Sequence, residues 1–182
     1  MKIVLTGAPG SGKTTIGARI AATRPTLTHI AEAATHVYTE RGQRWDRVDV
    51  ETRRDIQREI YRHQVAAEAA VDGPVLLDRG TVDGAAYWPD GPAAYWDDLG
   101  TTHEAELARY DAVLLLEPSV VVGVYDGASS NAVRFEDEEG ALANATFLAE
   151  LWRPHANLLE IKATESFDEK VAAVNAVLDR LL

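Results

Sequence analysis

Gly7-Ala-Pro-Gly-Ser-Gly-Lys-Thr14 stands near the start of the chain and matches the pattern G-x-x-x-x-G-K-[ST]. A run rich in β-branched residues, 2–6, precedes it, and residues 13–23 carry isoleucines at helical spacing after it. The motif therefore lies between a strand and a helix, which is the context that a phosphate-binding loop requires. Its glycines permit backbone conformations in which successive N–H groups turn inward onto phosphate oxygens. The pattern predicts a cradle for the phosphates of a nucleoside triphosphate.

Side chains of this loop complete the predicted donor site. We expect Lys13 to face solvent and to bring a positive charge to the β and γ phosphates, as a catalytic residue, and Thr14 to offer its hydroxyl to Mg²⁺. The first turn of the following helix adds the positive end of its dipole. The residues predicted to contact ATP are Gly7, Ala8, Pro9, Gly10, Ser11, Gly12, Lys13, Thr14 and Thr15.

A carboxylate and an arginine end the buried apolar run of residues 75–79. Asp78 is predicted to face the loop across the carboxyl edge of the sheet and to hold Mg²⁺ through water, together with Thr14. Arg79 is predicted to steady a phosphate group during the reaction. The alternative is a strand-end pair that only caps the next helix.

Apolar runs alternate with helical stretches along the whole chain. The alternation predicts an α/β fold of three layers, with a five-stranded parallel sheet between helices on both faces. The predicted strands are 2–6, 27–31, 75–79, 112–117 and 158–163, and the predicted helices are 13–23, 32–41, 50–71, 138–152 and 167–182. In the longest helix, Ile56, Ile60 and Ala67 are expected to face inward. We expect a single domain over residues 1–182, with a lid loop at about 118–137 and an irregular, aromatic segment at 81–100.

Glu32 directly follows the second predicted strand, at the sheet edge where an acceptor hydroxyl would approach the γ phosphate. It is a candidate catalytic residue, either as a general base or as a group that orients the acceptor. Phosphoryl transfer gains more from alignment and charge stabilisation than from proton removal. The alternative is a glutamate that only favours the start of a helix through the dipole.

Seven of the fourteen arginines lie between residues 41 and 62 of an otherwise acidic chain. The cluster would suit an acceptor that carries phosphate or carboxylate, since guanidinium groups bind such anions in a bidentate manner. It would equally suit a solvated helix face, because acidic residues stand at helical pairing distance from several members. The members are Arg41, Arg44, Arg47, Arg53, Arg54, Arg58 and Arg62.

Arg134 lies in the predicted lid, where an arginine neutralises charge on the transferring phosphoryl group when the lid closes. Arg153 is a second candidate for this catalytic role. The alternative for Arg134 is a surface ion pair with Glu136 or Asp137. A group of aromatic residues is interpreted as packing rather than as a base-stacking platform. These residues are Tyr87, Trp88, Tyr95 and Trp96.

Charge and composition exclude several classes of function. A net charge of −11 argues against a partner that is nucleic acid, because such binding depends on Lys and Arg neutralising backbone phosphates. The chain has no cysteine, which excludes disulfides and thiolate metal sites and suits a reducing cytoplasm. No apolar run approaches the length of a membrane span, so we expect a soluble, cytoplasmic protein. The Asn-Lys-x-Asp signature of guanine-binding GTPases is absent.

The chain resembles the nicotinamide riboside kinase-like (NadR-like) branch of P-loop proteins, often classed as an AAA-type domain. The resemblance rests on the loop itself, Glu32-Ala-Ala, Gln64 with Glu68, Leu77-Asp-Arg-Gly80 followed by Asp83 and Tyr87, and Val133-Arg-Phe-Glu136. It implies a kinase-like sheet with the loop strand in the centre, Mg²⁺-ATP as the phosphoryl donor, Lys13 and Thr14 at the phosphates, Asp78 near the metal and Arg134 in the lid. The family commonly has Glu-x-x-Arg after the second strand, whereas this chain has Thr35 in place of the arginine.

Together these features predict a Mg-ATP-dependent kinase that phosphorylates a hydroxyl of a small molecule, nucleoside-like or another metabolite. One alternative is an ATP-dependent sensor or regulatory ATPase that has no phosphate acceptor. Another is a polynucleotide 5′-hydroxyl kinase, which fits the acidic charge poorly. The arginine cluster and the predicted lid favour transfer, because a sensor needs no acceptor site.

Overall fold

The computed structural model of the protein describes residues 1–43, 47–119 and 138–182. Five strands form one parallel sheet in the order β2-β3-β1-β4-β5. The strands are β1 (Lys2–Thr6), β2 (Thr28–Ile30), β3 (Val75–Asp78), β4 (Ala112–Leu116) and β5 (Leu158–Ile161). The predicted α/β fold with five parallel strands is confirmed, and the strand before the phosphate-binding loop is central.

The helices cover both faces of the sheet. In the described part of the chain they are α1 (Lys13–Thr23), α2 (Ala33–Arg41), α3 (Val50–Ala69), a 3₁₀ helix (Thr81–Tyr87), α4 (Pro92–Leu99), α5 (His103–Leu107), α6 (Glu138–Trp152) and α7 (Phe167–Leu181). Successive residues of a strand point to opposite faces, so Ile3 and Leu5 join one apolar cluster with α1 and α7 while Val4 joins the other with the 3₁₀ helix, α4 and α6. Burial on both faces explains why the central strands are almost wholly apolar.

The segment predicted to be irregular, residues 81–100, is helical in large part. It holds the 3₁₀ helix and α4, and α5 follows it. Pro92 occupies the first turn of α4 and Gly100 ends it at φ 66°, so the residues that mark turns in a sequence here delimit a short helix. Three of the four aromatic residues in this segment, Trp88, Tyr95 and Trp96, are buried. Tyr87, Trp88 and Tyr95 also line the cavity described below, so burial alone does not restrict them to a packing role.

The inner face of α3 differs from the prediction. Ile56 is buried as expected, but Ile60 and Ala67 are only partly buried. The other buried residues of this helix are Gln57, Gln64 and Glu68. A buried polar side chain needs hydrogen-bond partners. Gln64 donates to the carbonyl oxygen of Arg79 just after β3, and Glu68 accepts from Lys2 and Arg109.

The described residues bear only in part on the predicted lid and on the expectation that no segment spans a membrane. The predicted lid and Arg134 lie outside the described residues, apart from the lid's first two positions. Among the described helices, none combines the length and the apolar character needed to cross a bilayer.

Candidate active site

The carboxyl ends of β1, β2 and β3 bring the sequence-predicted groups to one edge of the sheet. Residues 7–14 follow β1, Glu32 lies just beyond β2, and Asp78 and Arg79 end β3. Ligands in parallel sheets bind at this edge, where loops from neighbouring strands meet. The fold therefore places the phosphate-binding loop and the two candidate carboxylates side by side.

The loop has the backbone that its glycines predict. Gly7 adopts φ 142° and Gly10 φ 78°, both in regions that favour glycine. A Cβ added to Gly7 would lie 2.4 Å from the carbonyl oxygen of Leu116 at the end of β4. Position 7 therefore requires glycine both for its conformation and for its close contact with the neighbouring strand.

Lys13 does not face solvent, which corrects the prediction made from its position in the motif. Its side chain is 2% exposed. The ammonium donates hydrogen bonds to the carbonyl oxygens of Gly7 at 2.6 Å and Ala8 at 3.0 Å, and to Ser11 Oγ at 3.2 Å. A buried ammonium needs acceptors on several sides, and the loop supplies them by curling around it. Thr15, in contrast, is exposed on the first turn of α1.

Asp78 and Thr14 are brought into direct contact. Thr14 Oγ1 donates to Asp78 Oδ2 at 2.7 Å, while Asp78 Oδ1 is buried and has no hydrogen-bond partner among the described residues. Burial raises the pKa of the Asp78 carboxyl, and the positive charge of Lys13 opposes this effect. A buried carboxylate oxygen without a partner beside a threonine hydroxyl fits a divalent cation with oxygen ligands.

Asp83, rather than Asp78, bonds to the start of the helix that follows β3. Its carboxylate accepts from the backbone N–H of Gly80 at 3.0 Å, from Thr6 Oγ1 at 2.5 Å and from Trp152 Nε1 at 3.2 Å. The reading of Asp78 as a helix cap is therefore wrong. No motif assigns a separate role to Asp83, although its spacing of four residues from Arg79 is a signal that the two side chains meet.

Arg79 connects the two sides of the site. It is the non-glycine residue with a positive φ, 76°, in the described chain. Its Nε donates to Glu32 Oε1 at 2.6 Å and its Nη1 to Asp83 Oδ1 at 3.1 Å, and the guanidinium lies 5.5 Å from the centre of the Tyr87 ring. Gln64, on the polar inner face of α3, donates to its carbonyl oxygen at 3.3 Å. These contacts hold a backbone conformation that an isolated arginine would disfavour.

Glu32 is a charged carboxylate at the mouth of a cavity. Burial opposes its ionisation, but the charge of Arg79, a hydrogen bond from Thr35 and the charge of Lys13 outweigh burial and lower the pKa of Glu32 to about 2. Thr35, which stands where the family commonly has arginine, donates to Glu32 Oε2 at 2.7 Å. Glu32 is thus held by two partners and remains ionised at neutral pH.

The cavity extends from Glu32 and Arg79 between α2, α3 and the 3₁₀ helix. Its volume is about 390 Å³ and Pro9 of the phosphate-binding loop reaches its edge. Its walls include five aromatic side chains: Tyr38, Tyr61, Tyr87, Trp88 and Tyr95. Its polar lining includes Arg53, Gln57 and Gln64. Sequence reasoning missed Tyr38 and Gln57, because a lone tyrosine and a glutamine carry no motif.

Three of the six arginines of the cluster that the structure describes form ion pairs on the protein surface. Arg41 pairs with Glu59, Arg54 with Glu51 and Asp90, and Arg58 with Asp55 and Asp98. The solvated-face alternative is therefore correct for these three. Arg53 differs, because it lines the cavity. Arg44 lies outside the described residues, and Arg153 is exposed after the end of α6.

A glycine-rich phosphate loop on the central strand, with an aspartate at the end of the neighbouring strand β3 and a cavity beside both, defines a P-loop NTPase fold. Residues 2–170 match the family model described as AAA domain, and the chain belongs to that family. No curated protein matches the chain significantly.

Solved structures support the same fold. A deoxyadenosine kinase from M. mycoides with the products dCMP and dCDP bound is similar over 100% of both chains, with a TM-score of 0.74 and 14% identity. The same kinase with bound dATP has a TM-score of 0.67 and 14% identity over 98% of this chain and 100% of that one. A NadR protein in complex with NAD and AMP-PNP has a TM-score of 0.66 and 14% identity over 98% of this chain and 48% of that one. At such identity the likeness shows a shared fold.

Proposed function

We propose that the chain is a kinase that transfers the γ-phosphoryl group of Mg-ATP to a hydroxyl of an uncharged, planar small molecule of the nucleoside type. One observation carries the proposal: the Glu32–Arg79 pair, joined at 2.6 Å, lines a cavity whose edge includes Pro9 of the phosphate-binding loop. A donor cradle and an acceptor-sized cavity with an ionised carboxylate between them are what in-line phosphoryl transfer requires.

The donor side is assigned to the loop and the first turn of α1. Backbone N–H groups of residues 10–14 would surround the α and β phosphates, and Lys13 would exchange its carbonyl partners for phosphate oxygens. Thr14 and Asp78 would hold Mg²⁺, which neutralises charge between the β and γ phosphates when bound. The buried, unpartnered Oδ1 of Asp78 supports this assignment.

The acceptor side is assigned to Glu32 and Arg79. The acceptor hydroxyl oxygen would attack the γ phosphorus as the bond to the β–γ bridging oxygen breaks, leaving ADP. Because the pKa of Glu32 is about 2, its carboxylate is a weak base that orients the hydroxyl through a hydrogen bond. The hydroxyl proton would pass to the Glu32 carboxylate late, when the new bond to phosphorus is largely formed and the oxygen has become strongly acidic. Arg79 keeps Glu32 in place and contributes positive charge near the transferring group.

The acceptor's chemistry follows from the charge of the cavity. The charge of Arg79 is balanced by Glu32 and Asp83. Arg41, Arg54 and Arg58 are paired on the outer surface, which leaves Arg53 as the arginine of the cluster that lines the cavity within the described residues. Aromatic walls favour a flat ring. Gln57 shares a side-chain hydrogen bond with Tyr38, and burial raises the pKa of Tyr38 to about 12, so both present neutral donors and acceptors to the edge of such a ring.

Acceptor-dependent ADP release tests the proposal. The panel contains nucleosides, nucleoside 5′-monophosphates, a 5′-hydroxyl oligonucleotide and unrelated sugars and alcohols, each with Mg-ATP. We expect nucleosides to stimulate ADP release and to appear as monophosphates in the product mixture. ADP release that is the same with and without every acceptor would instead identify an ATPase or sensor, and a preference for monophosphates or the oligonucleotide would contradict an uncharged small acceptor.

Two adjacent arginines supply a matched control for this experiment. Arg53 lines the cavity, whereas Arg54 pairs with Glu51 and Asp90 on the surface. Arg53→Ala is expected to raise the KM for the best acceptor by about tenfold, which corresponds to one polar contact. Arg54→Ala is expected to leave it unchanged. Equal effects of the two substitutions would show that the cavity is not the acceptor site.

A further inference from the structure

Lys170 is a buried lysine that none of the roles above uses. It lies in the first turn of α7 and is 2% exposed. Its ammonium donates to the carbonyl oxygen of Ser11 in the phosphate-binding loop at 2.9 Å and to that of Glu117 after β4 at 2.6 Å. Lysine is almost never fully buried unless it is paired. Burying an ammonium that is hydrogen-bonded to two backbone carbonyls costs desolvation free energy, which is a large cost for a contact that only joins a helix to a loop.

The position of the Ser11 carbonyl determines where the next backbone N–H points. In a trans peptide unit the C=O and N–H groups point in opposite directions, and no cis peptide is present in the described chain. When the ammonium of Lys170 holds the Ser11 carbonyl toward α7, the N–H of Gly12 is directed away from α7. Gly12 has φ 89° and precedes the first residue of α1, so this N–H stands at the helix N-terminus, where a phosphate would bind.

Ser11 also accepts a hydrogen bond from a second lysine. Its hydroxyl accepts from Lys13 at 3.2 Å while its carbonyl accepts from Lys170. Ser11 is fully buried, and both lysines are 2% exposed. Two positive charges therefore adjoin one residue of the loop in a region shielded from water. Electrostatic attraction for an anion in the loop is stronger there than it would be at an exposed surface.

We propose that Lys170 is a positioning residue of the phosphate-binding loop, which orients the Ser11–Gly12 peptide so that its N–H faces the bound phosphate and which adds a buried positive charge behind the loop. The proposal rests on the nucleotide-binding part of the proposed function and not on phosphoryl transfer.

The charge state of Lys170 gives this role a pH dependence. Burial lowers the pKa of Lys170 to about 8, and the negative charge of Glu117 opposes the effect. Among the described residues, the other charged groups near it are Lys13 from α1, which also bonds to Ser11, Lys162 after β5, at 3.9 Å from the Glu117 carboxylate, and Asp168 and Glu169 on its own helix. Loss of the Lys170 proton removes the charge and weakens its hold on the carbonyl. Nucleotide affinity should therefore fall as pH rises above about 8.

The stability of the nucleotide-free protein should respond to the same proton with the opposite sign. The pKa of Lys170 in the folded chain, about 8, lies below its ordinary value of 10.5. In this window the unfolded chain binds more protons than the folded one, so the contribution of Lys170 to stability increases with pH. If Lys170 had a purely structural role, its deprotonation would change only the pH dependence of stability. The pH dependence of nucleotide affinity would not depend on Lys170.

Calorimetric titration with ADP, without metal or acceptor, tests the proposal at pH 7.5 and 9.5. The terminal phosphate of ADP is ionised throughout, since its second pKa is about 6. Lys170→Met keeps much of the length but removes the charge, and is expected to weaken ADP binding about tenfold at pH 7.5 with little further loss at pH 9.5. Lys170→Arg is expected to bind within about threefold of wild type at pH 7.5 and to keep that affinity at pH 9.5, because guanidinium does not titrate. Wild type should approach the Lys170→Met affinity at pH 9.5.

Arg180→Met is the matched control, because Arg180 is an exposed cation in the last turn of the same helix, α7. It should behave as wild type. If Lys170→Met and wild type bind ADP equally and with the same pH dependence, the proposal is wrong. If Lys170→Met does not fold, an equal loss of ADP affinity by wild type and Lys170→Arg at pH 9.5 would refute it. Wild type that binds no ADP at any pH would overturn the nucleotide-binding function itself, and this result is distinct from the other two.

Discussion

Replacing Glu32 with glutamine separates the acceptor chemistry from donor binding. The substitution keeps the shape of the side chain and leaves an oxygen that can accept from Arg79 Nε, which now donates to Glu32 Oε1 at 2.6 Å. It removes the negative charge that would orient the acceptor hydroxyl. The fold and the phosphate-binding loop should therefore persist, and the loss should fall on the transfer step.

The size of the expected loss follows from the pKa of Glu32. Positioned acid–base groups contribute about 10²- to 10⁴-fold to rate, and the contribution is largest when the pKa lies near the working pH. With a pKa of about 2, Glu32 belongs at the low end of this range. We expect Glu32→Gln to lower kcat about 10²-fold, or roughly 2.7 kcal/mol of transition-state stabilisation, and to leave the Kd for ATP within about threefold.

Acceptor-dependent ADP release and equilibrium ATP binding, measured on the same preparations, check this prediction. Glu40→Gln is the control, because Glu40 is an exposed residue of the same helix, paired with His36. A Glu32→Gln protein that retains kcat within about threefold of wild type would refute the placement of the acceptor hydroxyl at Glu32.

The same variant has a stability signature. The pKa of Glu32 in the folded chain, about 2, lies below its ordinary value of 4.5. Its ionised form therefore contributes stability that is present above pH 4.5 and is lost as pH falls toward 2. Urea unfolding should show wild type more stable than Glu32→Gln near neutral pH. The difference should shrink between about pH 5 and pH 2.5, and a difference that stays constant across this range would contradict the role of Arg79 in holding the charge.

Three further substitutions test the donor side and the packing beneath it. Lys13→Ala removes an ammonium that holds two loop carbonyls, so it should abolish ATP-dependent turnover and also lower the Tm. Unchanged turnover in a folded mutant would contradict the assignment of the loop as the phosphate cradle. Asp78→Asn removes a buried charge whose Oδ1 has no partner among the described residues, so the Tm should stay the same or rise. Activity should fall and should partly recover at high Mg²⁺ concentration. A mutant with the wild-type rate and the wild-type Mg²⁺ dependence would show that Asp78 has a structural role. Gly17→Ala should lower the free energy of unfolding by about 1 kcal/mol despite the high helix propensity of alanine, because the added Cβ would lie 2.5 Å from His29 Nε2. Urea unfolding should show that this loss is relieved in the double mutant with His29→Ala.

Much of the fold could be predicted because the signals are local. The loop motif between a strand and a helix and the alternation of apolar runs with helices define a parallel sheet, since parallel strands need crossover connections. The same logic located Glu32 and Asp78, because residues that end neighbouring parallel strands meet at one edge of the sheet. The helices α4 and α5 were missed because they are short, and isolated short helices depend on tertiary packing more than on propensity.

The sequence by itself determined the phosphate-binding loop, the class of fold and the edge of the sheet where the site lies. Only the tertiary structure decided that Lys13 is buried, that the inner face of α3 is polar, and that Lys170 reaches Ser11 across 159 positions of sequence. Periodicity assigns polar residues to the outside of a helix, because it records hydrophobic burial alone. A buried lysine or glutamine is stabilised by partners that are distant in sequence, so its place is known only when the chain has brought those partners together.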